Sequence, residues 1–251
     1  MAIVIAILAK DKEIFLPTYL KCIYEQTYNK KNIHLYIRTN DNKDKTPSIL
    51  KEFIDAHKDE YASIYYDDTD ICSDLKKYEE HEWNPHRFSV LGKIRQESID
   101  YAIKHAADYF VADCDNFIIP TTIQKMYNMR SLGVISPMLK SENVYSNFHY
   151  TVDGNGYFVE HPEYYNIYYQ VKKGIFTVGV VHCVYFIHND TLKDIVYLDG
   201  SNRHEYVIFS DTLRNKKINQ WLDNTERYGT VSFSKTKEEL DKCLKVTGFI
   251  I

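Results

Sequence analysis

Asp113 and Asp115 are the residues of this chain best placed to do chemistry. They stand i, i+2 in Asp108-Tyr109-Phe110-Val111-Ala112-Asp113-Cys114-Asp115-Asn116-Phe117. A β-prone apolar run stops on them, and ligands of open α/β sheets bind at the carboxyl ends of the strands. Two hard carboxylates there can hold a divalent ion such as Mn²⁺ or Mg²⁺, and such an ion is most useful against a diphosphate. Turn-forming Asp and Asn also close strands through hydrogen bonds of their own. The pair alone therefore leaves both readings open.

Arg95 narrows them. Phe88, Leu91, Ile99, Ala102, Ile103 and Ala106 make an apolar stripe at helical spacing, and Arg95 sits inside it. A buried guanidinium costs several kcal/mol unless paired, so an acidic partner or a bound diphosphate is expected beside it. Both answers put Arg95 next to the Asp-x-Asp. Lys93 and Arg87 are near enough in sequence to reach the same cleft. The turn Arg38-Thr39-Asn40-Asp41-Asn42-Lys43-Asp44 offers groups that read a nucleobase edge or ribose hydroxyls, and equally groups that form turns ahead of a helix cap at Thr46. Trp83 in a polar loop is a stacking platform in one reading and a packed side chain in the other. His182, in an apolar run, reads by default as a satisfied core histidine.

A chain of 251 residues can bury one sizeable α/β core. With 44% apolar and 26% charged residues the composition is that of a globular protein. A net charge of −4 gives no basis for nonspecific nucleic-acid binding. The five cysteines (22, 72, 114, 183, 243) are scattered without a C-x-x-C, which argues against a disulfide framework or zinc site and for a cytoplasmic or otherwise reducing compartment. Met1 to Leu8 is apolar but meets Lys10-Asp11-Lys12 too soon for a membrane span or signal peptide; it reads as a buried strand.

Strand-like and helix-like segments alternate through the first half. Strands are expected at Ile3–Ala9, Ile33–Arg38, Ala62–Tyr66 and Asp108–Ala112. Helices are expected from Pro17, from Thr46-Pro47, and over 86–107, with a polar loop at 67–85. Such β-α units predict a largely parallel, doubly wound sheet. After Pro120 the pattern turns mixed: a helix at 121–129, a strand at Gly133–Pro137, and a hairpin from Thr151 to Val159 around Asp153-Gly154-Asn155-Gly156. Then follow a long apolar run at Ile175–Ile187, a helix near 204–215 and a strand at Ile218–Leu222. No repeat or linker appears, so one domain is expected over 1–251, a Rossmann-like half at about 1–118 continued by an acceptor-facing mixed half at about 119–251.

In this order the residues resemble the collagen galactosyltransferases and, more distantly, the glycosyltransferase domain of lysyl hydroxylases. The resemblance is carried by Ile7-Leu8-Ala9-Lys10 with Leu16-Pro17, Thr39-Asn40-Asp41-Asn42-Lys43-Asp44-Lys45-Thr46, Trp83 with Arg87, and Lys93-Ile94-Arg95-Gln96. It continues through Asp113-Cys114-Asp115-Asn116, Ser136-Pro137-Met138-Leu139, Tyr145-Ser146-Asn147-Phe148, Val181-His182 and Glu226-Arg227-Tyr228-Gly229. Together these span about residues 3–230. The block Pro-Met-Leu, then Tyr-Ser-Asn-Phe, downstream of Asp-x-Asp-Asn is specific in combination.

The resemblance implies a glycosyltransferase-A fold, Rossmann-like in its first half with a mixed sheet continuing beyond. It implies Mn²⁺ (or Mg²⁺) between Asp113, Asp115 and the diphosphate of UDP-galactose, and inverting transfer to hydroxylysine in collagen-like chains. The donor site would comprise Thr39, Asn40, Asn42, Trp83, Arg87, Lys93, Arg95, Asp113, Cys114, Asp115, Tyr145 and Asn147. An inverting displacement needs one base for the acceptor proton; Glu205 is the first candidate and Asp211 the second. Asp190, Asp194 and Asp199 lie where a cationic acceptor would pass. Asn40 stands where the family has Asp, and His204 replaces one acid of the pair expected before the late helix. Animal members add a signal peptide, a retention signal and a second transferase-like domain, none of which is read here.

Three alternatives accompany this reading. One is glucosyl transfer, or galactosyl transfer to another glycan. A second is a catalytically inactive sugar-nucleotide-binding module. The third is a metal-dependent phosphohydrolase, disfavoured because such enzymes carry their aspartyl nucleophile after the first strand, which here ends in Ala9-Lys10.

Overall fold

A computed structural model of the chain describes residues 1–71 and 84–249. In its first half β1 (Ile3–Ala9), α1 (Leu16–Tyr24), β2 (Ile33–Thr39), α2 (Thr46–His57) and β3 (Ser63–Asp67) precede α3 (Pro85–Lys104) and β4 (Asp108–Ala112). Trp83 lies outside the described residues. The second half begins with β5 (Asn116–Ile118), α4 (Thr122–Asn128), β6 (Val134–Pro137) and β7 (Phe148–His149). The hairpin β8 (Thr151–Val152) and β9 (Phe158–Val159), α5 (Pro162–Tyr168), β10 (Ile175–Val178), β11 (Val180–Val181) and β12 (Val184–Ile187) follow. Last come α6 (Asn189–Leu192), α7 (Glu205–Asn215), β13 (Gln220–Asp223), β14 (Gly229–Val231) and α8 (Lys237–Val246).

Among the described residues the main sheet has eight strands in the order β10-β13-β6-β12-β4-β1-β2-β3. β4, β1, β2 and β3 run parallel, as the alternation predicted. β12 enters antiparallel between β4 and β6, and β10 is antiparallel to β13 on the far edge, which makes the sheet mixed. Burial on both faces explains the unbroken apolar runs of β1 and β4. One core packs Leu16, Tyr19 and Ile23 of α1 on one face. The other packs Ile99 and Ala102 of α3 with Phe209 and Leu213 of α7 on the opposite face.

Local chemistry sets the helix starts. Pro17 falls in the first turn of α1, where its missing N–H leaves nothing unpaired. Asn84 caps α3 by accepting the Arg87 N–H at 3.0 Å, with Pro85 next. The stripe on α3 is narrower than expected: Ile103 is exposed, and Ala106 lies beyond the helix at φ 48°. The run Ile175–Ile187 becomes three strands, because β11 leaves the main sheet to pair with β7. No helix of the described residues is long and apolar enough to cross a membrane.

β5 and β14 form a small antiparallel ribbon beside Asp115, whose carbonyl accepts the Ser232 N–H at 3.0 Å. Gly229 opens β14 at φ 157°, and a Cβ there would lie 1.9 Å from the Phe117 carbonyl oxygen. Gly229→Ala must push the ribbon apart. The expected loss is about 1–3 kcal/mol or more by overpacking, read as a lowered Tm. An unchanged Tm would show that the ribbon does not hold the Asp-x-Asp turn.

Candidate active site

The carboxyl ends of β1, β2 and β4 converge, since Ala9 pairs with Thr39 and Ala6 with Val111. Beyond those ends lie Lys10 to Lys12, Asn40 to Asn42 and Asp113 to Asp115. The Asp-x-Asp turn is held from several sides. Asp113 N–H donates to the Cys183 carbonyl at 2.8 Å and Asn116 N–H to the Asp113 carbonyl at 2.8 Å. Asn116 Nδ2 donates to Asp115 Oδ1 at 2.9 Å. Tyr19 OH, from α1, donates to the Ala112 carbonyl at 2.8 Å. Asp113 and Asp115 keep 28% and 25% of their side-chain surface open, so both present oxygen to the cleft.

Arg95 is 5% exposed and answers the question its stripe raised. Its Nη2 donates to Asp113 Oδ1 at 2.7 Å, and its Nε lies 3.4 Å from Glu205 Oε1, close enough to share charge but too poorly aligned for a hydrogen bond. Nε and Nη1 stay buried without hydrogen-bond acceptors. Burial works against the guanidinium's charge, yet Asp113, with smaller help from Glu205, holds it charged above its ordinary range. For Glu205 the balance is opposite. It is 5% exposed, and burial raises its carboxyl above the ordinary range despite the pull of Arg95. Glu205 also opens α7, where the helix dipole favours its anion.

Lys12 is the residue sequence reasoning missed. Its Nζ meets Asp115 Oδ2 at 2.7 Å, and although burial opposes its charge, Asp115 raises its affinity for the proton. A lysine just past the end of a first strand was the available signal. Asp41 is the other addition. It is buried at φ 49° between Asn40 Nδ2, which donates to its Oδ2 at 2.9 Å, and Lys10, which donates to its carbonyl at 2.6 Å. Its Oδ1 is buried without a hydrogen-bond partner.

Several expected donor-site residues make hydrogen bonds within the scaffold. Thr39 accepts from Asn42 Nδ2 at 2.6 Å, and Asn42 Oδ1 accepts the Asp11 N–H at 3.0 Å, so these two hold the turn together. Cys114, in the turn after β4, is 1% exposed and donates its thiol to the Leu8 carbonyl at 3.5 Å. Asn147 is fully buried. It accepts the Leu139 N–H at 2.7 Å and donates to Ser136 Oγ and the Pro137 carbonyl, fastening the loop between β6 and β7. Lys93 lies on the exposed side of α3, two residues round the helix from Arg95, with Glu97 at 4.0 Å. Asp211 has Arg203 at 3.0 Å and Arg214 at 3.2 Å on its two oxygens, which separates it from the Asp113–Arg95–Glu205 chain. Asp194 and Asp199 are likewise paired, with Lys216 and Arg203, and Asp190 lies 3.6 Å from His188. Arg87 is half-buried in the first turn of α3, whose Phe88 ring packs 4.0 Å from His204. Tyr145 does reach the site: its hydroxyl is 3.5 Å from His182 Nδ1 and 3.9 Å from Cys183 Sγ.

The model of glycosyltransferase family 25, N-terminal domain, matches residues 1–245. The chain belongs to glycosyltransferase family 25. Among its relatives, a Mus musculus protein named inactive glycosyltransferase 25 family member 3 is 27% identical over 90% of this chain and 40% of its own. Procollagen galactosyltransferase 1-B of Xenopus laevis is 28% identical over 90% of this chain and 39% of its own. The chain thus spans about two fifths of the length of these relatives. Among solved structures, S. aureus TarS in complex with UDP-GlcNAc superposes at TM-score 0.60 with 12% identity, over 96% of this chain and 61% of its own. The mannosyltransferase PcManGT of Pyrobaculum calidifontis, in complex with GDP-Man and Mn²⁺, gives 0.57 with 12% identity, over 93% and 57%. The fold is the glycosyltransferase-A fold, as the sequence led us to expect.

Since Arg95 is a buried partner of two carboxylates, Arg95→Met strands both. Breaking such a pair costs about 3–5 kcal/mol, so the Tm of the ligand-free protein should fall sharply. A level or raised Tm would mean that Arg95 is held for a ligand rather than for Asp113 and Glu205.

Proposed function

We propose that this family 25 chain is a metal-dependent, inverting glycosyltransferase that moves galactose from UDP-galactose to hydroxylysine of collagen-like chains. The observation that carries the reading is the charge chain Asp113–Arg95–Glu205, which ties the Asp-x-Asp to a buried carboxylate at the start of α7. The procollagen galactosyltransferase relatives support the donor and acceptor, and the UDP-sugar complex of TarS supports the donor class.

The donor set suits a hard cation. Asp113 and Asp115 offer partly exposed carboxylate oxygens two residues apart, and Asp113 commits only Oδ1 to Arg95. Among the described residues no cluster of three or more metal-ligating side chains exists, so the diphosphate would supply further oxygens. When bound, Mn²⁺ or Mg²⁺ would screen the diphosphate as a Lewis acid. Arg95 and Lys12 add preorganised positive charge beside the same carboxylates. Glu205 takes the proton of the acceptor hydroxyl as that oxygen bonds to the anomeric carbon and the bond to UDP breaks. A carboxyl raised by burial is a stronger base than an exposed one once ionised.

The carboxylate of Glu205 is the active form, so rate should fall with acid. Its acid limb should lie above the ordinary Glu range, because burial outweighs Arg95 in setting its affinity for the proton. Glu205→Gln should keep UDP and Mn²⁺ affinity, lose that limb, and transfer about 10²–10⁴-fold more slowly. A variant that retained both the wild-type rate and its pH profile would exclude Glu205 as base.

Changing either Asp113 or Asp115 to Ala should cost at least about a hundredfold in rate, and EDTA should abolish transfer. Normal rates in both variants would remove the metal assignment. One Gly-X-Y peptide, offered with Lys or with hydroxylysine at the same position, tests the acceptor. Transfer to hydroxylysine alone is expected; vigorous turnover onto another glycan with neither peptide used would replace the acceptor. Because the relatives include members named inactive, a second reading is a sugar-nucleotide-binding module. It predicts UDP binding without turnover on any acceptor.

A further inference from the structure

His182 and His149 are poorly explained by packing. They are 5% and 8% exposed, and His182 Nε2 and His149 Nδ1 are buried without a hydrogen-bond partner. Buried polar atoms are nearly always paired, so two orphans in one place call for a physical account. Strand geometry puts them together. His149 pairs with Val180 across the β7–β11 ladder, and His182 lies two residues on, on the same face. Their ring centroids are 5.1 Å apart, and Tyr206 stands 5.3 Å from His182 and 5.9 Å from His149.

The backbone holds His182 there under strain. Val184 N–H donates to the His182 carbonyl at 2.7 Å while Cys183 sits at φ 63°. That is a γ-turn with positive φ, a rare and strained form, and such strain clusters at ligand sites. The same turn gives the Cys183 carbonyl to Asp113 N–H. His182 thus adjoins a turn fastened to the backbone of Asp113, the carboxylate assigned to the diphosphate, and both imidazoles pack against Tyr206, the residue after the proposed base. In a displacement at the anomeric carbon, what occupies the space between the diphosphate and the base is the transferred hexose. Burial holds both rings neutral: His182 is pushed well below the ordinary range and His149 down to about 4, with Arg214 adding to the shift of the latter. His182 Nδ1 is already 2.9 Å from Cys183 Sγ, so its Nε2 is left to make one hydrogen bond, as donor or acceptor according to the tautomer, and a sugar hydroxyl can take either role.

We propose that His182 and His149, bordered by the partly exposed rings of Tyr145 and Tyr206, form the wall that reads the hydroxyl groups of the donor's hexose. The proposal rests on the sugar-nucleotide reading above. The test is calorimetric titration of the full chain in MnCl₂ with UDP, UDP-galactose and UDP-glucose, for wild type, His182→Phe and His182→Gln. Phe keeps the ring and removes both nitrogens, so UDP affinity should stay within about twofold while affinity for the preferred UDP-hexose falls about fivefold to tenfold, the scale of one lost neutral hydrogen bond. Gln retains a donor and an acceptor and should restore most of that loss. If His182→Phe does not fold, His149→Phe carries the same comparison. UDP and UDP-hexose affinities falling together, or neither falling, would overturn the hexose wall. So would an effect confined to the acceptor's KM. Wild type that binds UDP, with no variant changing its preference for UDP-hexose, overturns this proposal alone. Wild type that binds no UDP sinks the donor reading and this one with it.

Discussion

The guanidinium of Arg95 is the constraint on which the rest of the site depends. It is buried on a helix face whose other buried side chains carry no charge, and it can stay there charged only if carboxylates come to it. Asp113 comes from the end of β4 and Glu205 from the first turn of α7, two elements that share no local sequence. One charge therefore sets the spacing of three elements around the cleft. The arrangement is asymmetric: Asp113 dominates in keeping Arg95 charged, while burial keeps Glu205 easier to protonate than an exposed glutamate. That asymmetry suits the roles proposed above, a metal-holding carboxylate at Asp113 and a proton-taking one at Glu205.

Around this centre the polar residues divide into those that hold the scaffold and those with capacity left over. Thr39, Asn42 and Asn147 are engaged with backbone and side-chain partners in their own or adjoining loops. Asp41, His182 and His149 are as deeply buried but each keeps a polar atom unpaired. Both groups look alike in sequence, as Asn, Asp, Thr and His in turns or apolar runs. What separates them is the completeness of hydrogen bonding, and burial makes incompleteness costly.

The likeness to procollagen galactosyltransferases and to proteins named inactive within one family leaves activity to be decided by the cleft. Asp113, Asp115 and Glu205 stand in it together with Arg95, while Asn40 and His204 stand where acids were expected. Asn40 is absorbed into support of Asp41, which restores an acidic acceptor one residue further on. His204 packs among Phe88, Tyr157 and Tyr206 as an aromatic wall.

The sequence by itself determined the features that rest on short-range physics. Apolar runs bounded by turn formers marked β1, β2, β4 and β6 within a residue or two, and the Asp-x-Asp at the end of β4 located the cleft. The helical stripe around Arg95 required a buried anion beside it. Other features were decided only by tertiary structure. β5 and β14 are three-residue strands, too short for any period to register, and β11 is diverted from a continuous apolar run by a partner far away in sequence, β7. Cys114, Lys93 and Asp211 had plausible residue types near the right motifs, but which way a side chain faces depends on strand alternation, helix phase and available ion partners. Lys12 became part of the site because β1 and β4 are neighbours in the sheet, a pairing across 103 residues. Composition and spacing state which charges must be neutralised; only the packed chain brings each partner to them.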